Sequence, residues 1–317
     1  MYMPYLHGKQ EELLALLALS PSLGDLVVPI IKPVNLDPTN TAARLARIGA
    51  NARYAIITNS DKGPNRQPPP YPEVAQLIKS APIAANATNV FPAFEIRGDT
   101  LIAAFDRFSR EFADRRCIVI HKGHTFNAAQ LSGAMHFVVD PVHVYVEPGV
   151  PMGALSALPS AANIVVRNGF HACERNADYP PQSAFDDLVY RYDSRNLHGF
   201  GDFSMIGDTY SPGGGPARAV AIHLTEDLGQ SLAMNHFVST SVGVDTQTMY
   251  FEALDRLVAY AATKAPVYMS TAGAQRYLGS NTARHFPNLG AAKRWSTMHH
   301  IETVQRILAS RNAAASF

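Results

Sequence analysis

Eight short apolar runs recur along the first 225 residues, and most of them end on a polar or charged residue. They span 27–32, 54–59, 91–95, 117–122, 136–140, 163–167, 201–206 and 219–223. Val, Ile and Phe dominate them, and helix-length segments separate them. Buried parallel strands read this way, because both faces of each strand are covered. Eight such strands predict an α/β fold, a (β/α)8 TIM-like barrel with a C-terminal helical extension. Functional groups in such a barrel gather at the C-terminal strand ends. The pattern gives the place to look and leaves the reaction open.

A chain of 317 residues holds one large barrel plus an appendage. The expected division is a barrel with an N-terminal helix over 1–263 and a basic helical extension over 264–317. Net charge is +1, which excludes whole-chain steering toward nucleic acid. The two cysteines, Cys117 and Cys173, make no disulfide framework, so a reducing, cytoplasmic setting is expected. The start, Met1-Tyr2-Met3-Pro4-Tyr5, lacks the basic and apolar regions of a signal peptide. No apolar stretch is long enough to span a bilayer, so no membrane role is expected.

Helices are expected over 9–19, 41–50, 72–80, 99–113, 127–134, 152–158, 181–194 and 246–263. The 99–113 helix is the clearest, with Asp99 as cap and Leu101, Ile102, Phe105, Phe108 and Phe112 at helical spacing. Two long connections, 59–72 and 168–181, follow strand ends, where barrels place binding loops. The segment Ser211-Pro212-Gly213-Gly214-Gly215-Pro216 reads as a tight turn, with a phosphate cradle as the other option. Residues 264–317 carry seven Lys or Arg against the single acid Glu302, a net +6. Arg284, Lys293, Arg294 and Trp295 are the partner-binding candidates there. A basic patch with interleaved aromatics suits an acidic protein partner or nucleic acid. A solvated helical surface is the plain alternative.

Alternation within strands selects the site. Glu95 shares a face with Ala93, and His223 with Ala219 and Ala221, opposite the bulky aliphatic faces. Counting likewise puts His121 on the face of Cys117 and Val119, with Lys122 opposite. Asp140, Arg167 and Lys32 are expected inward, and Asp202 a layer deeper. Glu95, His121, Asp140 and His223 are the catalytic candidates, as acid–base groups or as ligands of a divalent metal. Lys32, Asn59, Arg167 and Asp202 are the substrate-binding candidates, and Lys32 and Arg167 suit an anionic group. Mutual pairing, such as Glu95 with Arg167 or Asp140 with Lys32, is the structural alternative. The chain has no HExxH, GxSxG, Walker, GxGxxG or CxxC motif.

Several blocks carry a family resemblance. These are Tyr2-Met3-Pro4-Tyr5-Leu6-His7-Gly8-Lys9-Gln10, Pro29-Ile30-Ile31-Lys32-Pro33-Val34 and Asn176-Ala177-Asp178-Tyr179-Pro180. Gly199 to Asp208, Gly213 to His223 and Arg284-His285-Phe286-Pro287 complete the set. In them the chain resembles the "beta family protein" group, named after a phage T4 beta protein, in a bacterial branch. That branch carries an acid where this chain has Lys32, which weakens a metal role for the position. The resemblance implies a place in phage or bacterial mobile and defence islands. It also implies a second protein encoded nearby, with nuclease-like features.

Two functional readings follow. In one, the chain is the ligand- or partner-recognising component of a two-protein anti-phage or mobile-element system. It would use the barrel mouth and the basic C-terminal surface. In the other, it is a hydrolase of a phosphoester or nucleotide-like substrate, with or without a divalent metal. A barrel serving only as a scaffold is a third option.

Overall fold

The computed structural model describes residues 1–63, 67–210 and 217–315. The glycine-rich segment 211–216 lies outside the described residues. Eleven strands are present among them: β1 Tyr5–Leu6, β2 Ile30–Ile31, β3 Tyr54–Ile57, β4 Val90–Ile96, β5 Arg116–His121, β6 Val139–Val146, β7 Ala162–Arg167, β8 Gln182–Asp186, β9 Gly199–Asp202, β10 Ala221–Asp227 and β11 Leu232–Val238. The chain divides into two compact units. One comprises Met1–Leu13, Ser20–Asn168 and Arg191–Asp202; the other comprises Leu14–Leu19, Gly169–Tyr190 and Phe203–Phe317. The sequence reading draws a single boundary after 263, whereas these units are discontinuous along the chain.

The first unit is a nearly closed barrel of eight parallel strands in the order β1-β2-β3-β4-β5-β6-β7-β9. The two edges meet through a bridge between Tyr2 and Phe200. The Met3 amide donates to the Phe200 carbonyl at 2.8 Å, and the Phe200 amide to the Met1 carbonyl at 3.0 Å. Two glycines permit this approach. A Cβ on Gly199 would lie 2.3 Å from the Met1 carbonyl oxygen, and one on Gly201 2.1 Å from that of Met3. The (β/α)8 class is therefore as expected. The barrel's first strand is the N-terminal segment, which the apolar-run count passed over.

Register fixes which side chains point where. Glu95 aligns with Ile120, Ile120 with Val144, Val144 with Ile164 and Ile164 with Gly199. The alternate set runs through Phe94, Val119, His143 and Asn163. Phe94 meets Phe105 and Phe108 at 5.4 and 5.2 Å, on the helix Ile102–Glu111. Its set thus faces the helices, and the Glu95 set faces the barrel interior. Leu101, not Asp99, occupies the cap position of this helix, with no side-chain cap bond. Asp99 pairs with Arg97 instead. The helix Ala128–Ala134 starts on a reciprocal cap between Asn127 and Gln130.

The second unit holds the antiparallel sheet β10-β11-β8. The helices Thr246–Ala261, Ala272–Ala283 and Leu289–Ala315 belong to it. Asp245 and Thr271 cap the first two through their side chains. Three expectations are corrected here. The run 219–223, read as the eighth barrel strand, leads into β10 of this antiparallel sheet. The stretch 181–194, read as helix, opens with β8. The strand expected at 136–140 starts at Val139 and continues to Val146.

Candidate functional site

An ionic cluster sits inside the barrel at the C-terminal strand ends. Lys32 follows β2 and Glu95 lies near the end of β4; both are at most 1% exposed. Lys32 Nζ donates to Glu95 Oε1 at 3.0 Å and Oε2 at 3.2 Å, and it also pairs with Asp61. Arg97, two residues beyond Glu95 on the same face, reaches Glu95 Oε1 at 3.3 Å. Tyr5 Oη donates to Glu95 Oε2. Lys122 Nζ stands 5.8 Å from the centre of the Tyr5 ring. Asn59 holds β4 from the side: its amide donates to the Glu95 carbonyl at 2.8 Å, and its oxygen accepts from the Glu95 amide at 2.9 Å.

Charge balance sets the protonation states. Burial alone would raise the Glu95 pKa, but Lys32, Lys122, the Tyr5 hydroxyl and Arg97 hold it below the ordinary value. Asp61 behaves alike: burial opposes ionisation, yet Lys32, Arg97 and Lys62 keep it strongly acidic. The Tyr5 phenol is driven far up by burial and by Glu95, so it stays a proton donor. Among the described residues the cluster and its flanks hold four cations, Lys32, Lys62, Arg97 and Lys122, against three carboxylates, Glu95, Asp61 and Asp99.

The residues expected at the mouth divide. Lys32, Asn59 and Glu95 come together as expected. His121 does not join them: it aligns with Ile96 and Tyr145 on the helix-facing side, and Lys122 takes the inward position. Arg167 falls on the outer parity and pairs with Glu147 at 2.8 Å. Asp202 aligns with Arg167, also on the outer parity, and accepts from Tyr2 Oη at 3.0 Å. Asp140 lies at the opposite, N-terminal end of β6, with φ of 44° and an exposed pairing to Arg116. His223 belongs to β10 of the second unit. Glu95, His121, Asp140 and His223 therefore do not converge as a ligand set. Among the described residues no group of three or more His, Cys, Asp or Glu is arranged to hold a metal ion.

His121 instead centres a chain of imidazoles. His143 Nε2 donates to the Pro159 carbonyl at 3.0 Å. His143 Nδ1 must then accept, so His121 Nε2 donates to it at 2.8 Å, and His124 Nε2 donates to His121 Nδ1 at 2.9 Å. One carbonyl thus sets three tautomers. Burial lowers all three pKa values, that of His124 to about 4. Because every ring nitrogen between the rings faces another ring nitrogen, the trio does not converge on a common ion.

Sequence reasoning missed Tyr5, Asp61, Arg97, Lys122, His124 and His143. Arg97 carried a signal, since it stands two residues beyond Glu95. Lys122 carried none, because Cys117-Val119 and Ile118-Ile120 are equally apolar faces.

In the second unit, Trp295 is 9% exposed and packs edge-on against Tyr277 at 5.2 Å. It is a core residue of the helix pair, unsuited to reading a partner. Arg284 caps a helix in the left-handed region, pairs with Asp255 at 2.6 Å and covers Phe251. Lys293 is exposed and Arg294 half-buried. Among the described residues no helix is long and apolar enough to cross a membrane. Compared with protein-family models, curated proteins and solved structures, the chain finds no match.

Proposed function

We propose that this chain is a recognition component whose barrel mouth takes a small anionic ligand and whose basic helical region docks a second protein. The observation that supports the ligand half is the cation-rich mouth: among the described residues Lys32, Lys62, Arg97 and Lys122 stand against Glu95, Asp61 and Asp99. Charge-assisted bonds from Arg and Lys suit a phosphate or carboxylate. The partner half rests on the net +6 of residues 264–317 and on the resemblance to beta family proteins. Lys293, Arg294 and Arg284 are its contact candidates; Trp295 serves packing. In this reading the partner is the nuclease-like product encoded nearby, within an anti-phage or mobile-element system in the cytoplasm.

Isothermal titration of the full chain with inorganic phosphate and with a mononucleotide tests the ligand half. The expected result is saturable one-site binding, weakened about tenfold or more in Lys122→Gln and Arg97→Gln. Failure of both ligands to bind, or binding indifferent to these variants, would sink it. Native mass spectrometry of the protein drawn from its own host tests the partner half. A stoichiometric second protein is expected, and a lone chain would count against it.

The second reading, a phosphoester hydrolase, draws on one observation. Glu95 is ionised and shares its oxygens with a phenol and an ammonium, the makings of an acid–base centre. Turnover of a phosphodiester panel that vanishes in Glu95→Gln would establish it in place of pure recognition.

A further inference from the structure

A second cluster of chemistry-bearing groups lies wholly in the second unit. Ser183 on β8, His236 on β11 and His223 on β10 point to one face of the sheet. Ser183 Oγ stands 2.9 Å from His236 Nε2, and His236 Nδ1 stands 2.7 Å from His223 Nδ1. The strand register produces this. His223 is directly opposite His236, while Ser183 is opposite Met234, two residues along the same face. Phe170 and Tyr179 wall the two imidazoles: Tyr179 stacks on His236 at 4.7 Å, and Phe170 meets His223 edge-on at 5.1 Å. Gln182, Asn235 and Phe237 alternate with Ser183 and His236 and so face the other side of the sheet, where they line a separate groove of about 390 Å³ with Arg256 and Tyr260.

We propose that Ser183 is an acyl-accepting nucleophile, with His236 as its general base and His223 as the residue that positions His236. The hydrogen bonds define a consistent set of tautomers. If the Ser183 hydroxyl donates to His236 Nε2, the His236 proton resides on Nδ1 and is donated to His223 Nδ1. A nucleophile bonded to a base, which a third group orients, is the arrangement that activates an otherwise weak hydroxyl. Burial favours the neutral form of both rings, so His236 offers a lone pair at neutral pH. Ser183 itself is half-buried and not sealed.

The step balances without a cofactor. Ser183 Oγ attacks the carbonyl carbon of a carboxylic ester as its proton passes to His236 Nε2. The tetrahedral adduct collapses, and the departing alcohol takes that proton. Water, deprotonated by His236, then cleaves the acyl-serine and releases the acid. This inference does not depend on the reading of the barrel mouth.

A fluorophosphonate probe on the full chain tests it, with the adduct located by mass spectrometry. The expected outcome is one adduct, on Ser183, absent from Ser183→Ala. Its formation should slow about a hundredfold or more in His236→Gln. His223→Leu should slow labelling, and His223→Asn, which keeps an acceptor for the His236 proton, should restore most of it. A packing role for His223 would not show that rescue. Circular dichroism and thermal melting confirm that each variant is folded. No adduct on the wild-type chain, an adduct elsewhere, or labelling indifferent to His236→Gln would overturn the proposal.

Discussion

Glu95 stays ionised inside the barrel because Lys32, Lys122 and Tyr5 face it from neighbouring chain segments and Arg97 from the end of its own strand. Such a pair contributes little net stability when whole but is costly to break. Lys32→Met should therefore cost about 3 kcal/mol in urea unfolding, the low end for a broken buried pair, since Arg97 and Lys122 remain. Adding Glu95→Gln should recover more than half of it. A single-variant cost near zero would show that the cluster does not hold the strand ends. The imidazole chain supplies a pH dependence. Folding lowers these pKa values, so the unfolded chain binds the protons more readily. The stabilisation is complete above the ordinary histidine value of 6.5 and is lost as pH falls toward about 4 for His124. Stability against pH should therefore fall less steeply between 6.5 and 4 in His124→Gln than in the wild type. Parallel slopes would mean that His124 titrates alike in both states. At this scale Glu95 was legible because Phe94 beside it is bulky and aromatic. His121 was not, because a strand with two aliphatic faces does not reveal which one meets the helices.

Closure of the barrel depends on β9, whose sequence Gly-Phe-Gly-Asp places its two glycines where the N-terminal strand crosses. Gly201→Ala would set a methyl group against the Met3 carbonyl, and backbone cannot yield as a flexible side chain does. A loss of about 1–3 kcal/mol is expected, read as a melting temperature lower by several degrees. An unchanged melting temperature would show that the strand edges move apart freely. In the sequence Gly201 opens the apolar run 201–206 and Gly199 stands out only through a resemblance; the strand itself spans Gly199–Asp202. The extended N-terminal segment they meet, which leads into β1, is not legible because it contains Pro4 and no β-branched residue. The converse error came at 219–223. An apolar run of that length serves a parallel or an antiparallel strand equally, and periodicity cannot distinguish them. The count of eight strands was therefore reached with two segments exchanged, one gained at the end and one lost at the start.

At the scale of the molecule, the second unit is assembled from separated pieces of chain, and the middle strand of its sheet shows what each piece contributes. β11 pairs on one side with β10, which closely precedes it in sequence, and on the other with β8, which comes from before the last barrel strand. A fragment spanning 203–317 keeps β10, β11 and the three long helices but loses β8. That removal uncovers the backbone of Leu232 to Asn235. It also removes Gln182 from Asn235, at 2.9 Å, and Tyr190 from Asp227. Arg311 near the chain's end loses the Val189 carbonyl as well. An uncovered apolar strand edge invites association. The fragment should accordingly aggregate or give a collapsed amide spectrum. Joining residues 169–190 to it through a flexible linker should restore dispersed amide resonances and a cooperative melting transition. Dispersed resonances from 203–317 alone would mean that the helices stabilise the unit without the third strand.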